Sequence, residues 1–203
     1  IAIFLVKLKC ALAWRYHLAP SLLHVASIMQ NLKYVSGYSL DIQRQVEQLL
    51  QSGKLGEVLL RRHPHIHQIR SDKALYDYTQ GIKNQFLRQS SPLSKVIFDD
   101  KISMSHHALG LHSYVSRVQG NKIKAKNEIR ISSRLKRVPE PLLRMVVVHE
   151  LAHLKEKDHN KAFYNLCTYM EPDYHQFEFD LRLLLTCIDA NQSPYIAHSI
   201  DSV

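Results

Sequence analysis

At 203 residues and 45% apolar composition, the chain can bury a core without disulfide support, which excludes both a disordered polymer and a disulfide-stapled scaffold. Its three cysteines, Cys10, Cys167 and Cys187, show no zinc-ribbon spacing and are expected to be reduced packing residues of a cytoplasmic protein. A formal charge of +9 draws the chain toward acidic partners, nucleic acid first among them.

The apolar run from Ile1 to Ala13 is broken by Lys7 and Lys9 and is too short to span a bilayer. Its lysines lie inside the apolar core rather than ahead of it, a poor match to a signal peptide. Residues 1–28 are therefore expected to be an N-terminal extension, with Met29 as the natural start. Leu40 to Leu50 reads as a helix with Ser39 as N-cap and Gly53 as stop, and a short helix from Leu55 to Arg62 follows, ended by Pro64. His63, His65 and His67 alternate around that proline with no carboxylate or cysteine beside them, so a structural or exposed role is expected. Ser71 or Asp72 caps a helix carrying Leu75, Tyr78, Ile82 and Phe86, broken by Ser90, Ser91 and Pro92. Residues 29–92 thus form a helical N-terminal part.

From Lys95 onward the period changes. Val96 to Phe98 is a short β-type run, Asp99-Asp100-Lys101 reads as a turn, and Gly120-Asn121 signals a hairpin. Ile123, Ala125, Asn127, Ile129 and Ile131 alternate with Lys122, Lys124, Lys126, Glu128 and Arg130, as in a half-exposed strand of an antiparallel sheet. Such a strand can pair with an extended substrate if it lies at an edge. Pro139 and Pro141 open a helix that is apolar nearly all round and therefore central and buried. Asp158 or Asn160 caps the next helix, Pro172 ends it, and Asp173 starts a last one. The expected fold is α+β, with a small antiparallel sheet packed on the central helix and flanking N- and C-terminal helices. The second part runs over 93–189, and 190–203 reads as a loose tail.

The central helix carries His149-Glu150-Leu151-Ala152-His153, an HExxH motif. Residues i and i+4 of a helix lie one above the other, so both imidazoles can reach one zinc ion. Glu150 is rotated about 100° from His149 and is placed to act as base on water at the metal. His159 is the leading third ligand, at the metzincin spacing but with Glu156 where that motif carries glycine. On a continuous helix His159 would point about 240° away, so the helix must break, with Lys157-Asp158 the expected place. His175 and Glu178 on the following helix are rival ligands. His175, Tyr174 and Tyr169 are candidates for the oxyanion donor or substrate contact.

Basic residues crowd the approach to this helix. Lys122, Lys124, Lys126, Arg130, Arg134, Lys136 and Arg137 stand against Glu128 alone, +6 locally. Lys122, Lys124, Lys126 and Arg130 are candidate nucleic-acid contacts.

The stretch "NEIRISSRLKRVPEPLLRMVVVHELAHLKEKDHNKAFYNL", with "MEPDYHQFEFDLRL" after it and "KALYDYTQGIKNQFLRQSSPLSKVIFDDKI" before it, resembles the YgjP-like metallopeptidases, relatives of the SprT-like and WLM-type zinc proteases. The wider family carries an Arg-Trp-Gly-Ser-Cys-like segment before the strand, where this chain has Ser116-Arg117-Val118-Gln119-Gly120. The resemblance implies a zincin-like fold over 93–189. It also implies zinc on His149, His153 and His159, Glu150 as general base, and hydrolysis of peptide bonds. The alternatives are a nucleic-acid-associated protease acting on DNA-bound proteins and a zinc-stabilised binding protein with little turnover.

Overall fold

The computed structural model describes residues 32–102, 110–119 and 122–195, the stretch from 110 to 126 by its backbone alone. Local chemistry sets the helix boundaries in the first half. The Ser39 hydroxyl accepts from the Ile42 amide at 3.4 Å and opens α1 (Leu40–Gln51). Gly53 follows at φ +69°, where a side chain would be strained. Next comes α2 (Leu55–Arg62), which stops because Pro64 forces His63 into an extended conformation. Ser71 accepts from the Ala74 amide at 3.2 Å and opens α3 (Asp72–Phe86).

Three strands, β1 (Leu93–Asp99), β2 (Gly110–Gln119) and β3 (Lys122–Ser132), form one sheet of order β1-β3-β2. β2 and β3 are antiparallel, in register from Gly110 opposite Ile131 to Gln119 opposite Lys122. The expected turn at Gly120-Asn121 lies outside the described residues. β1 runs parallel to β3, with Val96 opposite Ile129 and Phe98 opposite Ile131. The sheet is therefore mixed, which corrects the expected antiparallel one. Alternation along a strand reports that one face is buried and carries no information about the direction of a neighbour. Asn127, Ile129 and Ile131 are indeed buried while Glu128 and Arg130 are partly exposed. The order also corrects the expectation that the 123–131 strand can take an extended substrate along its length. β3 is central, and from Asn127 to Ile131 its backbone lies between partners on both sides.

After a 3-10 turn, Pro139 as N-cap and Pro141 in the first turn open α4 (Glu140–Ala152). Leu142, Leu143, Val147, Val148 and Leu151 are fully buried on different sides of it, as an all-round apolar helix requires. α4 packs against β2, α5 (Lys161–Met170) and α6 (Tyr174–Asp189). Asp173 occupies the α6 N-cap position without a side-chain cap bond. Among the described residues no helix is long and apolar enough to cross a membrane.

Two polar ties hold the helical part to α6 and the residues just after it. Asp180, 1% exposed, accepts from Arg62 at 3.1 Å and from Gln176 at 3.0 Å, and its Oδ2 lies 2.8 Å from His63 Nε2. His67 donates from Nε2 to the Leu135 carbonyl at 2.8 Å, while His65 is exposed. Asp180→Ala would leave His63 and Gln176 without their acceptor, and a loss of about 3 kcal/mol in urea denaturation is expected. Asp180→Asn, which keeps one acceptor oxygen, should lose less. The second tie lies just beyond α6, in the first residues of the stretch expected to be a tail. The Tyr195 hydroxyl donates to the His63 carbonyl at 2.7 Å and lies 3.3 Å from that of Leu59. A polar segment with no hydrophobic period gives no local sign of such long-range bonds.

Candidate metal centre

α4 ends at Ala152, and His153 is its C-cap with φ −64° and ψ −13°. The chain turns there, with the Leu154 amide on the Leu151 carbonyl and the Glu156 amide on the Ala152 carbonyl, both at 3.0 Å. The break thus comes earlier than the expected Lys157-Asp158, and residues 154–160 form a non-helical return. The Asn160 side chain then accepts from the Phe163 amide at 2.9 Å and starts α5.

This return brings His159 back over α4. His149, His153 and His159 each present a ligand atom, all within 4.8 Å of one another. His149 Nε2 and His159 Nε2 are 3.1 Å apart. Two nitrogens on one tetrahedral zinc, each about 2.0–2.1 Å from the ion, stand about 3.3 Å apart. Two of the three donors also fit in their protonation. Burial, then the neighbouring His153 and His159, pushes His149 down to about 3, and burial lowers His153. Neutral imidazoles are what a metal requires.

The far nitrogens have partners that orient the rings. His153 Nδ1–H donates to the Glu156 carbonyl at 3.0 Å. His149 Nδ1–H donates to the Tyr174 hydroxyl oxygen at 2.7 Å. Each bond leaves Nε2 with its lone pair toward the cluster. Phe163, fully buried, packs under all three rings, with centroid distances of 4.9, 4.7 and 4.7 Å to His149, His153 and His159. Tyr174→Phe is expected to lower affinity for Zn2+ about tenfold, measured by competition with a chromophoric chelator.

The other residues singled out in the sequence fall in three places. Glu150 sits beside His149 on α4 and is 3% exposed. Tyr174, expected to face substrate, is 1% exposed and lies behind His149, away from the converging nitrogens. His175 is exposed at the start of α6, 3.9 Å from Glu178, which is bonded to Arg182 at 2.6 Å; neither joins the histidine cluster. Tyr169 is exposed and packs its ring edge-on against Phe86. The side chains of Lys122, Lys124 and Lys126 lie outside the described residues. Arg130 is engaged by Asp99 at 2.9 Å and Arg134 by Asp189 at 3.1 Å, while Lys136 lies over the Phe98 ring. Cys167 and Cys187 are buried free thiols pushed up to about 12 by burial, consistent with packing; Cys10 lies outside the described residues. Sequence reasoning missed the part of Phe163 in the site. The spacing of Phe163 four residues after His159 was the available signal.

The family model described as YgjP-like, metallopeptidase domain, matches residues 96–183, which hold the sheet from Val96, the histidine cluster and most of α6. A curated relative from Escherichia coli (strain K12), named UTP pyrophosphatase, is 56% identical over 165 residues, 81% of this chain and 99% of the relative. No solved structure matches the chain.

Proposed function

The chain belongs to the YgjP-like metallopeptidase family, and from that premise we propose that it is a zinc-dependent pyrophosphohydrolase of nucleoside triphosphates, UTP first among them. The observation that carries this reading is the 56% identity to a UTP pyrophosphatase over 99% of that protein's length. Such an overlap leaves no separate domain of the relative to account for its activity.

In this reading His149, His153 and His159 hold the ion. Zinc, when bound, supplies Lewis acidity and lowers the pKa of water toward about 7. Glu150 takes the proton of the water that attacks the α-phosphorus. The bond from that phosphorus to the bridging oxygen breaks, and pyrophosphate leaves with the electron pair. Lys155, Lys157 and Lys161 outnumber Glu156 and Asp158 on and just after the return between the ligands, a net positive charge that suits a triphosphate.

A second reading, hydrolysis of peptide bonds, draws on the HExxH motif and on β2. This strand lies at an edge of the sheet and packs against α4, where an extended peptide can add. Nucleic-acid contacts at Lys122, Lys124 and Lys126 belong with that reading, as a scaffold for protein substrates.

The test offers UTP, the other nucleoside triphosphates and a peptide library to the zinc-loaded protein. Release of pyrophosphate from UTP, abolished by 1,10-phenanthroline, is the expected result. Peptide cleavage without pyrophosphate release would replace the first reading by the second.

A further inference from the structure

A strip of rings leads out of the histidine cluster along the start of α6. His159 is exposed, and its ring centre lies 6.4 Å from that of half-buried Tyr164. Tyr164 lies 5.6 Å from the ring of His175 at an interplanar angle of 36°, and the His175 side chain is 61% exposed. Tyr164 rests on Phe163 and Tyr174, at 5.3 and 6.5 Å, so its position is fixed from behind by buried rings. A ring held from behind and open on its other side is what stacking of a planar ligand requires.

Charge gives the strip a direction. Exposed Asp173 lies just before His175, while Glu178, 3.9 Å from His175, is paired with Arg182 at 2.6 Å, so what the far end adds is the negative charge of Asp173, unfavourable to a polyphosphate. At the other end Lys155, Lys157 and Lys161 outnumber Glu156 and Asp158 on the same stretch. A nucleotide with its phosphates at the histidine cluster would therefore send its base toward Tyr164 and His175.

We propose that Tyr164 and His175 form a stacking shelf for the nucleobase, the subsite that distinguishes a nucleoside triphosphate from inorganic polyphosphate. This deepens, and rests on, the pyrophosphohydrolase reading. Tyr164 and His175 are positioning residues: they hold the base and leave the proton transfers to Glu150.

The experiment compares wild type, Tyr164→Phe, Tyr164→Ala and His175→Ala, each loaded with zinc and checked for metal content. The substrates are UTP and inorganic tripolyphosphate, and affinity for the non-hydrolysable α,β-imido analogue of UTP is measured by calorimetry. Tyr164→Ala is expected to raise KM for UTP and weaken the analogue about tenfold, with kcat and tripolyphosphate binding little changed. Tyr164→Phe, which keeps the ring, should behave as wild type. His175→Ala, an exposed position that does not threaten folding, should show a smaller loss of the same kind. Equal losses for UTP and tripolyphosphate, or a Tyr164→Phe variant as impaired as Tyr164→Ala, would overturn the shelf and leave the pyrophosphohydrolase reading standing. A wild type that releases no pyrophosphate from UTP would overturn both.

Discussion

Glu150→Gln is expected to reduce pyrophosphate release from UTP about a thousandfold while zinc content and thermal stability stay close to wild type. The two side chains have the same shape, so the substitution keeps the packing of a residue that is only 3% exposed. What it removes is the ability to accept a proton. Glu150 follows His149 directly on α4, about 100° round the helix from it, and is not one of the cluster's ligands. A base near a polarised water contributes about 10²–10⁴ in rate, and no other carboxylate joins the histidine cluster among the described residues. Turnover in Glu150→Gln within tenfold of wild type would remove Glu150 as the base. Loss of zinc together with activity would recast it as part of the metal environment.

His159→Ala is expected to weaken zinc binding by at least about a hundredfold, beyond the 10–100-fold typical of outer-shell partners, and to abolish turnover. His175→Ala and Glu178→Ala should keep the metal. His159 Nε2 is 3.1 Å from His149 Nε2, whereas Glu178 is held by Arg182 and His175 lies next to it. His159 is also exposed and reaches the cluster only through the 154–160 return, so its removal should leave the core intact. The readouts are metal content after dialysis and the rise in Tm on adding zinc. That rise reflects binding to the folded chain alone and should vanish in His159→Ala. Unchanged zinc content in this variant would return the third ligand to His175 or Glu178.

Features written in adjacent residues were legible. Ser39, Ser71 and Asn160 announce helix starts because a short side chain that caps a backbone amide acts within three residues. His149, Glu150 and His153 were legible because one helical turn fixes their relative placement. His159 was legible only as one of several candidates, since its position depends on where α4 stops, and the final turn is decided by packing. The parallel partner of β3, the inward turn of Tyr174 and the anchoring of Tyr195 all join residues far apart in the chain, and no local period encodes such pairings. The proposed substrate was hidden for a different reason. HExxH specifies how water is held and deprotonated, and that chemistry is indifferent to whether carbon or phosphorus is attacked. The electrophile is chosen by what surrounds the cluster, in the proposed reading the lysines of the return and the rings of Tyr164 and His175.

The strand order β1-β3-β2 also fixes a sequence of events in folding. β2 and β3 meet across a short connection, so their pairing closes a small loop and can form early. β1 must wait, because its parallel partner is synthesised after β2 and lies across a much longer stretch of chain. Substitutions in β1 such as Val96→Ala should therefore speed unfolding more than they slow folding, the behaviour of a strand that docks after the rate-limiting barrier.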